Sequence, residues 1–328
     1  VKTLTGKVTI KDVAKAAGVS EATVSRALSH SPRVKRDTSQ KIQNIASNLG
    51  YHPNDLARSI RVQQTHTLGL IIPDILNAFF THLSRAIEDA ASRAGYDVIL
   101  VNTDENLAKE ASGLNLLLEK QVDGVIITSA GGPTDYAAIL GPTPAVFVDR
   151  MPPTPNHAPY DRVLVDNVQG TRAIVSQLIA QGATRVGIIN SAVSFTASER
   201  LTGYQEALTA AGIEPDEAIE ATARTDNSNV QQMTRQLLIN QKCDGLFVAD
   251  NTIMQSVLRK LPDLDVPHLQ LGGFDDQDWF DFLPQPIVTA RQPIAELGQT
   301  AIDRLVAKIE DPDLLPEEIR LAATTISR

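Results

Sequence analysis

Thr9-Ile10-Lys11-Asp12-Val13-Ala14-Lys15-Ala16-Ala17-Gly18-Val19-Ser20-Glu21-Ala22-Thr23-Val24-Ser25-Arg26-Ala27-Leu28 is the stretch on which the reading of this chain turns. Ile10, Val13, Ala14 and Ala17 recur at the spacing of one helix face. Thr9 is a good N-cap, and Asp12 stands three residues on, as in a capping box. Gly18 can take the left-handed backbone of a tight turn and so ends the helix. Ser20 then caps a second helix with Val24 and Leu28 facing inward. Two short helices joined by a turn of about three residues form a helix-turn-helix. That unit lets the second helix enter a DNA major groove with its first residues near base edges. A third helix is predicted with Ile42, Ile45, Ala46 and Leu49 on one face, Gly50 at its end and Asp37 or Thr38 as cap. A core of roughly 50 residues is marginal alone but plausible as an attached module.

Charge supports this reading. Residues 1–66 hold eleven Lys and Arg against four Asp and Glu, a balance of +7, which leaves −16 for the remainder of a chain with net charge −9. A basic head on an acidic body suggests a polyanionic partner, although a solvated charged surface gives the same count.

Beyond the head the rhythm changes. Strand-length apolar runs occur at 68–73, 98–101, 124–127 and 145–148, with helical patterns near 79–94 and 107–120 between them. The rhythm restarts at Val163-Leu164-Val165. Runs follow at 185–189, near 218–223, at 245–248 and at 269–274, with helices near 168–181 and 198–211. A final helix near 294–309 and a strand near 318–326 close the pattern. Such βαβ alternation implies parallel sheets covered by helices, and its repetition implies two lobes around a cleft, roughly 67–162 and 163–290, completed by 291–328.

Ligands of open parallel sheets bind beyond the carboxyl ends of the strands. Those ends carry Asp74, Asn77, Ser129, Asp149, Arg150, Asn190, Asp250, Asn251, Asp275 and Asp276; Thr196 joins the candidates. Carboxylates and amides suit polyols, because an unpaired buried hydroxyl costs about 1–3 kcal/mol. Phe80 and Trp279 could cover a sugar face. Each carboxylate has an alternative reading as a cap of the following helix, and Trp279 one as a packing residue.

With 328 residues, 42% of them apolar, the chain is expected to fold. No run of 18 apolar residues predicts a membrane span, and the first residues lack the apolar core of a secretory signal. A soluble cytoplasmic protein is expected. Cys243 is the single cysteine and reads as a buried structural thiol; the six histidines lack metal spacing. No nucleophile–base pair, phosphate loop or metal motif points to an enzyme, so no catalytic residue, cofactor or metal is expected.

The segments Val8–Ala14, Gly18-Val19-Ser20, Thr23–Leu28, Tyr51-His52-Pro53-Asn54 and Ala57-Arg58-Ser59 closely resemble the headpiece of the lactose-repressor (LacI/GalR) family, and the likeness continues through nearly the whole chain. It implies an all-α helix-turn-helix headpiece (1–52), a hinge helix and linker (53–66) and an α/β two-lobed periplasmic-binding-protein-like domain with parallel sheets (67–328) that binds effector and dimerises. Glu21, Ala22 and Arg26 would read bases, with Arg33 reaching DNA from the following loop. Thr9, Ser20, Thr23 and Ser25 would lie near phosphates, which fix register. Tyr51, Asn54, Ala57 and Arg61 belong to the same DNA-binding set, and Ile60 stands where the family places a minor-groove wedge. Lys35 and Ser39 replace a serine and an arginine frequent in the family.

In the body, Asp149, Arg200 and Asp275 match the family's ligand contacts. Asp250-Asn251 reverses its common Asn-Asp order. No aromatic follows the strand near 220, a place Trp279 could fill from another loop. The resemblance implies a homodimeric repressor of a catabolic or uptake operon. It would bind palindromic operator DNA and be released by a sugar, sugar acid, sugar phosphate or nucleoside. Two alternatives are a regulator that needs a purine or nucleoside corepressor and a solute-binding protein for transport.

Overall fold

The structure, a computed structural model, describes residues 8–28, 33–51, 64–152, 160–191 and 194–328. The chain divides into two compact units, Val1–Thr65 and His66–Arg328. Asn54, Ala57, Ile60 and Arg61 lie outside the described residues.

The small unit holds α1 (Ile10–Ala17), α2 (Glu21–Leu28) and α3 (Arg36–Asn48). The Thr9 N–H and Oγ1 both donate to the Asp12 carboxylate, at 2.9 and 2.7 Å, and Gly18 turns the chain at φ +70°. Ser20 Oγ accepts from the Thr23 N–H at 3.2 Å, capping α2. Val13, Ala14, Val24, Ala27, Ile42 and Ala46 form the core, with Ile10, Val19, Leu28, Val34, Ile45 and Tyr51 packed around it.

Three details differ from the sequence reading. Ala27, three residues after Val24, takes the inner position expected of Leu28, which is half-buried. Leu49 caps the C-terminus of α3 and is exposed. Finally, α3 starts at Arg36, so Asp37 and Thr38 lie inside its first turn, where an acid still favours the helix through its dipole. Ser39 Oγ donates to the Ala27 carbonyl at 3.0 Å and braces α3 against α2.

The large unit holds two six-stranded sheets. The first is ordered β11-β5-β4-β3-β1-β2, from β1 (Thr67–Ile72), β2 (Asp97–Asn102), β3 (Gly124–Ile127), β4 (Ala145–Val148), β5 (Asp161–Val165) and β11 (Glu318–Leu321). Its helices are α4 (Ala78–Arg93), α5 (Leu107–Glu119), α6 (Tyr136–Leu140) and α11 (Ile294–Glu310). The second is ordered β12-β10-β9-β8-β6-β7, from β6 (Val186–Ser191), β7 (Glu220–Ala223), β8 (Gly245–Val248), β9 (Gln270–Phe274), β10 (Ile287–Arg291) and β12 (Thr324–Ser327). Its helices are α7 (Asn167–Ala180), α8 (Phe195–Ala210), α9 (Val230–Arg235) and α10 (Asn251–Lys260). Every pairing is parallel except β10 with β12. Strands such as β3, β4 and β8 are buried along their whole length, which is why they read as continuous apolar runs rather than alternations.

Sheet membership corrects the expected lobes. β5 pairs with β4, Val148 opposite Val163, so the first lobe extends past 162. The run near 318–326 is two strands: β11 joins the first sheet beside β5, and β12 joins the second beside β10. β10 was not read from the sequence. The chain therefore crosses between lobes three times: after β5, after β10 and between β11 and β12. These crossings leave the carboxyl ends of both sheets bordering one cleft. Arg304 of α11 donates to buried Asp161 at 2.8 Å and pairs with Glu317 at 3.0 Å, fixing the return of the chain to β5. At Gly298 an added Cβ would meet Ala86 at 2.9 Å, so α11 and α4 approach at a distance only glycine allows.

Candidate DNA-reading helix and effector cleft

In the small unit, burial of Val24 and Ala27 turns the opposite face of α2 outward. Glu21, Ala22, Ser25 and Arg26 are exposed there, with Thr23 half-buried. Thr9, Ser20 and Arg33 are exposed, while Tyr51 packs on the core. Ser20 and Thr23 also share a hydroxyl–hydroxyl bond of 2.8 Å, so both belong to the cap.

In the large unit, Asp149 follows β4; it is 3% exposed, with φ +64° and its N–H bonded to the Val163 carbonyl at 3.0 Å. The next residue, Arg150, donates to both Glu105 carboxylate oxygens at 2.8 and 3.0 Å and lies 5.0 Å over the Phe80 ring. From the second lobe comes Arg200 of α8, 6% exposed. It donates to Asn167 Oδ1 at 2.9 Å and to the Ala249 carbonyl at 2.5 Å, and its guanidinium lies 3.8 Å from the Phe274 ring centre. Asp275 follows β9 at φ +73° and accepts from Gln292 Nε2.

These charges sense one another. Burial pushes the Asp149 carboxyl up to about 6; Arg150 and Arg200 oppose that rise, and Asp275 and Asp250 add to it. Burial likewise raises Asp275, against Arg200 and with Asp250. Burial lowers Arg200, and Asp275, Asp149 and Asp250 hold it back. Burial also works against Arg150, but Glu105 and Asp149 outweigh it and raise its pKa. Asp149, Arg150, Arg200, Asp250 and Asp275, drawn from three strand ends and the interior of α8 in two lobes, thus form one electrostatic cluster.

Other candidates have their polar atoms engaged elsewhere. Asp250 is the N-cap of α10, Oδ1 accepting from Thr252 N–H at 2.7 Å and Oγ1 at 2.5 Å. Asn77 caps α4 through the Phe79 N–H at 3.0 Å, and Asp74 Oδ1 accepts from the Leu76 N–H at 2.9 Å. Thr196 shares a 2.9 Å bond with Ser194, and Asn190 donates to the Ala197 carbonyl at 2.9 Å. Ser129 is fully buried in a network closed by Glu110, which accepts from Tyr136 OH at 2.6 Å; that phenol lies 2.9 Å from Ser129 Oγ.

Asp276 points to the C-terminal strand instead. Burial opposes its ionisation, yet hydrogen bonds from Arg328, Arg291 and Thr289 hold it at about 2. Trp279, 38% exposed, meets Phe280 edge-on at 4.5 Å and lines a surface groove of about 470 Å³ with Gln255, Leu258 and Arg259. It does not supply the aromatic face expected of it in the cleft. The rings there are Phe80 and Phe274, each under a guanidinium.

Sequence reasoning missed Glu105, Asn167 and Gln292. Gln292 immediately follows the unread strand β10. Asn167 opens α7 just after the misplaced lobe boundary. Cys243 is buried, and burial pushes its thiol up to about 11, which leaves it unreactive. Among the described residues no group of three or more His, Cys, Asp and Glu could hold a metal ion. None of the described helices is long and apolar enough to cross a membrane.

A helix-turn-helix unit joined in one chain to a two-lobed α/β body with a charged interlobe cleft defines a ligand-responsive DNA-binding regulator. Residues 9–54 match the model of bacterial regulatory proteins of the lacI family, and residues 65–323 that of periplasmic binding proteins and the sugar binding domain of the LacI family. The chain belongs to the LacI family of transcriptional regulators, which are DNA-binding proteins and not enzymes.

It is 33% identical over 320 residues to catabolite control protein A of Priestia megaterium, covering 95% of each chain. It is 30% identical over 325 residues to the ribose operon repressor of Escherichia coli (strain K12), covering 98% of each. Among solved structures it resembles the Lac repressor dimer bound to operator and the anti-inducer ONPF, with TM-score 0.85, 25% identity and 98% of each chain covered. It also resembles the complex of the transcriptional regulator CelR with cellobiose, with TM-score 0.72, 26% identity and coverage of 97% and 98%.

Proposed function

We propose that this regulator is a cytoplasmic repressor that binds a palindromic operator as a homodimer and is released by a small, hydroxyl-rich sugar held in the interlobe cleft. Residues 1–52 form the reading head, 53–66 the hinge and linker, and 67–328 the effector and dimerisation body. Glu21, Ala22 and Arg26 read bases. Thr9, Ser20, Thr23, Ser25 and Arg33 position the phosphates. Tyr51 supports the head from its core, and Asn54, Ala57, Ile60 and Arg61 act in the hinge.

The observation that carries the effector reading is the buried convergence of Asp149, Arg150, Arg200 and Asp275 from both lobes. Carboxylates accept from sugar hydroxyls, guanidiniums donate to them, and opposed contacts from two lobes favour closure. Phe80 and Phe274 already lie under Arg150 and Arg200, which favours a sugar over a stacked purine corepressor. The homodimer draws support from the operator-bound Lac repressor dimer and from exposed apolar side chains. Those are Leu116 in a groove beside β2 and α5, Leu100 and Leu107 on the same two elements, and Trp279 and Phe282 on the second lobe.

Effector and DNA act through one conformational equilibrium. Coupling energies of this kind are about 1–3 kcal/mol, and operator must weaken effector by the factor with which effector weakens operator. A thermal-shift screen of neutral sugars, sugar phosphates and nucleosides, with and without operator DNA, tests the proposal. A neutral pentose or hexose should raise the melting temperature and weaken operator binding. Stabilisation by nucleosides alone, or tighter operator binding with ligand, would overturn it.

A further inference from the structure

One hydrogen bond spans the cleft between residues that neither charge nor aromatic character would single out. Asn251 Nδ2, at the start of α10 in the second lobe, donates to Asn77 Oδ1 in the first at 2.9 Å. Both are buried, at 3% and 6% exposure. The network fixes which way each amide points. Asn77 Oδ1 accepts from the Phe79 N–H as the cap of α4, so this atom is the oxygen. Its partner on Asn251 must then be the nitrogen, which leaves Asn251 Oδ1 buried with no partner among the described residues. The main-chain N–H of Asn251 faces the Asp275 carboxylate. Asn251 therefore touches the anchor of the other lobe through its side chain and the cleft's acidic wall through its backbone.

We infer that Asn251 is a positioning residue that latches the two lobes across the effector cleft, with Asn77 as its acceptor. The inverted Asp250-Asn251 order makes this possible. Asp250, which accepts without donating, takes the cap of α10, where an acceptor is needed. The amide then falls one residue later, where a donor can cross the gap. A carboxylate at 251 would face Asn77 Oδ1 with no proton to share. The latch closes the cleft, and its orphaned carbonyl opposes that closure, because an unsatisfied buried acceptor is unfavourable. The two effects hold the lobes near balance, where a ligand can tip them. This regulatory consequence rests on reading the cleft as the effector site; the latch itself does not.

The logic predicts an asymmetry that simple packing would not produce. Asn77→Asp keeps an acceptor for both Phe79 and Asn251, so the lobes stay closed. Asn251→Asp removes the donor and opens them. Spin labels on Ala137→Cys in α6 and Ser228→Cys in the second lobe, in a Cys243→Ala background, report lobe separation in the full-length protein without effector.

A net hydrogen bond of about 0.5–1.5 kcal/mol predicts a fall of about 2- to 10-fold in the closed-to-open ratio for Asn251→Asp and none for Asn77→Asp. Asn251→Ala, which deletes the donor without adding charge, should move the same way and replaces Asn251→Asp if that variant unfolds. An unchanged distance distribution in the Asn251 variants overturns the latch, as does opening of Asn77→Asp to the same extent. Neither outcome touches the sugar proposal, which is tested by ligand binding alone.

Discussion

Asp149 offers the sharpest test of how the cleft is held. Its carboxyl stands at about 6 instead of the ordinary 3.8, mainly because burial opposes its charge. One pKa unit corresponds to about 1.4 kcal/mol, so the ionised form weakens folding by about 3 kcal/mol. The direction follows from proton counting. Between pH 4 and 6 the folded chain holds a proton on Asp149 that the unfolded chain has lost. The contribution of this group is therefore fully favourable below about 3.8 and is lost as pH rises through 6. An amide in place of the Asp149 carboxyl would imitate the protonated form at every pH. Asparagine also tolerates the left-handed backbone that Asp149 occupies at φ +64°.

Asp149→Asn should thus be more stable than the parent by up to about 3 kcal/mol at pH 8. The gain should shrink through pH 6 to 4 and vanish below that. Urea denaturation at pH 8, 6.5, 5 and 4 measures it. Response of operator binding to sugar should fall at the same time, because the carboxylate proposed to contact the effector is gone. Equal stability at pH 8, or a gain that does not shrink with acid, would refute the argument that Asp149 is held ionised against its surroundings.

Other expectations follow from the same geometry. Sugar hydroxyls need Asp149 as an acceptor, so effector binding at pH 6 should release a proton; calorimetry in buffers of differing ionisation enthalpy detects it, and affinity should weaken below that pH. Arg26→Ala should lose about 1–3 kcal/mol of operator discrimination, measured by fluorescence anisotropy on single-base operator variants, while effector affinity stays at the parent value. Gly203→Ala should destabilise the body by about 1–3 kcal/mol in urea, because the added Cβ would meet the Val168 carbonyl at 2.3 Å where α8 crosses α7.

How much of this was legible in the sequence depended on how local the cause was. The turn at Gly18, the Thr9–Asp12 pair and the Ser20 cap involve neighbours within a few residues, and all three were readable. The buried strands were equally plain, since a parallel strand covered on both faces is apolar throughout. Sheet membership was not. Val163-Leu164-Val165 looks the same whether it starts the second lobe or ends the first; its place is set by pairing with β4 and by Arg304, more than a hundred residues away. β10 escaped because Ile287-Val288-Thr289-Ala290-Arg291 carries polar residues and sits beside an antiparallel strand, outside the apolar rhythm of the rest.

The site shows the same division in sharper form. Position at a strand's carboxyl end singled out Asp149, Arg150 and Asp275, which share one electrostatic cluster with Arg200, but it could not say which carboxylate remains available to a ligand. Asp250 and Asp276 have the same chemistry as Asp275, yet one caps α10 and the other is held by Arg328 and Arg291. The difference lies in how deeply each group is buried and in the donors that surround it. Asp276 has enough of them to stay ionised at about 2. Burial raises both Asp149 and Asp275, and the bonds Asp275 accepts from Gln292 and the Asn251 N–H do not offset it. A carboxylate whose charge is opposed by burial gains from any further donor, and a hydroxyl-rich ligand is a source of donors. The buried charge of Asp149 and Asp275, more than their location, supports the proposal that an effector acts through them.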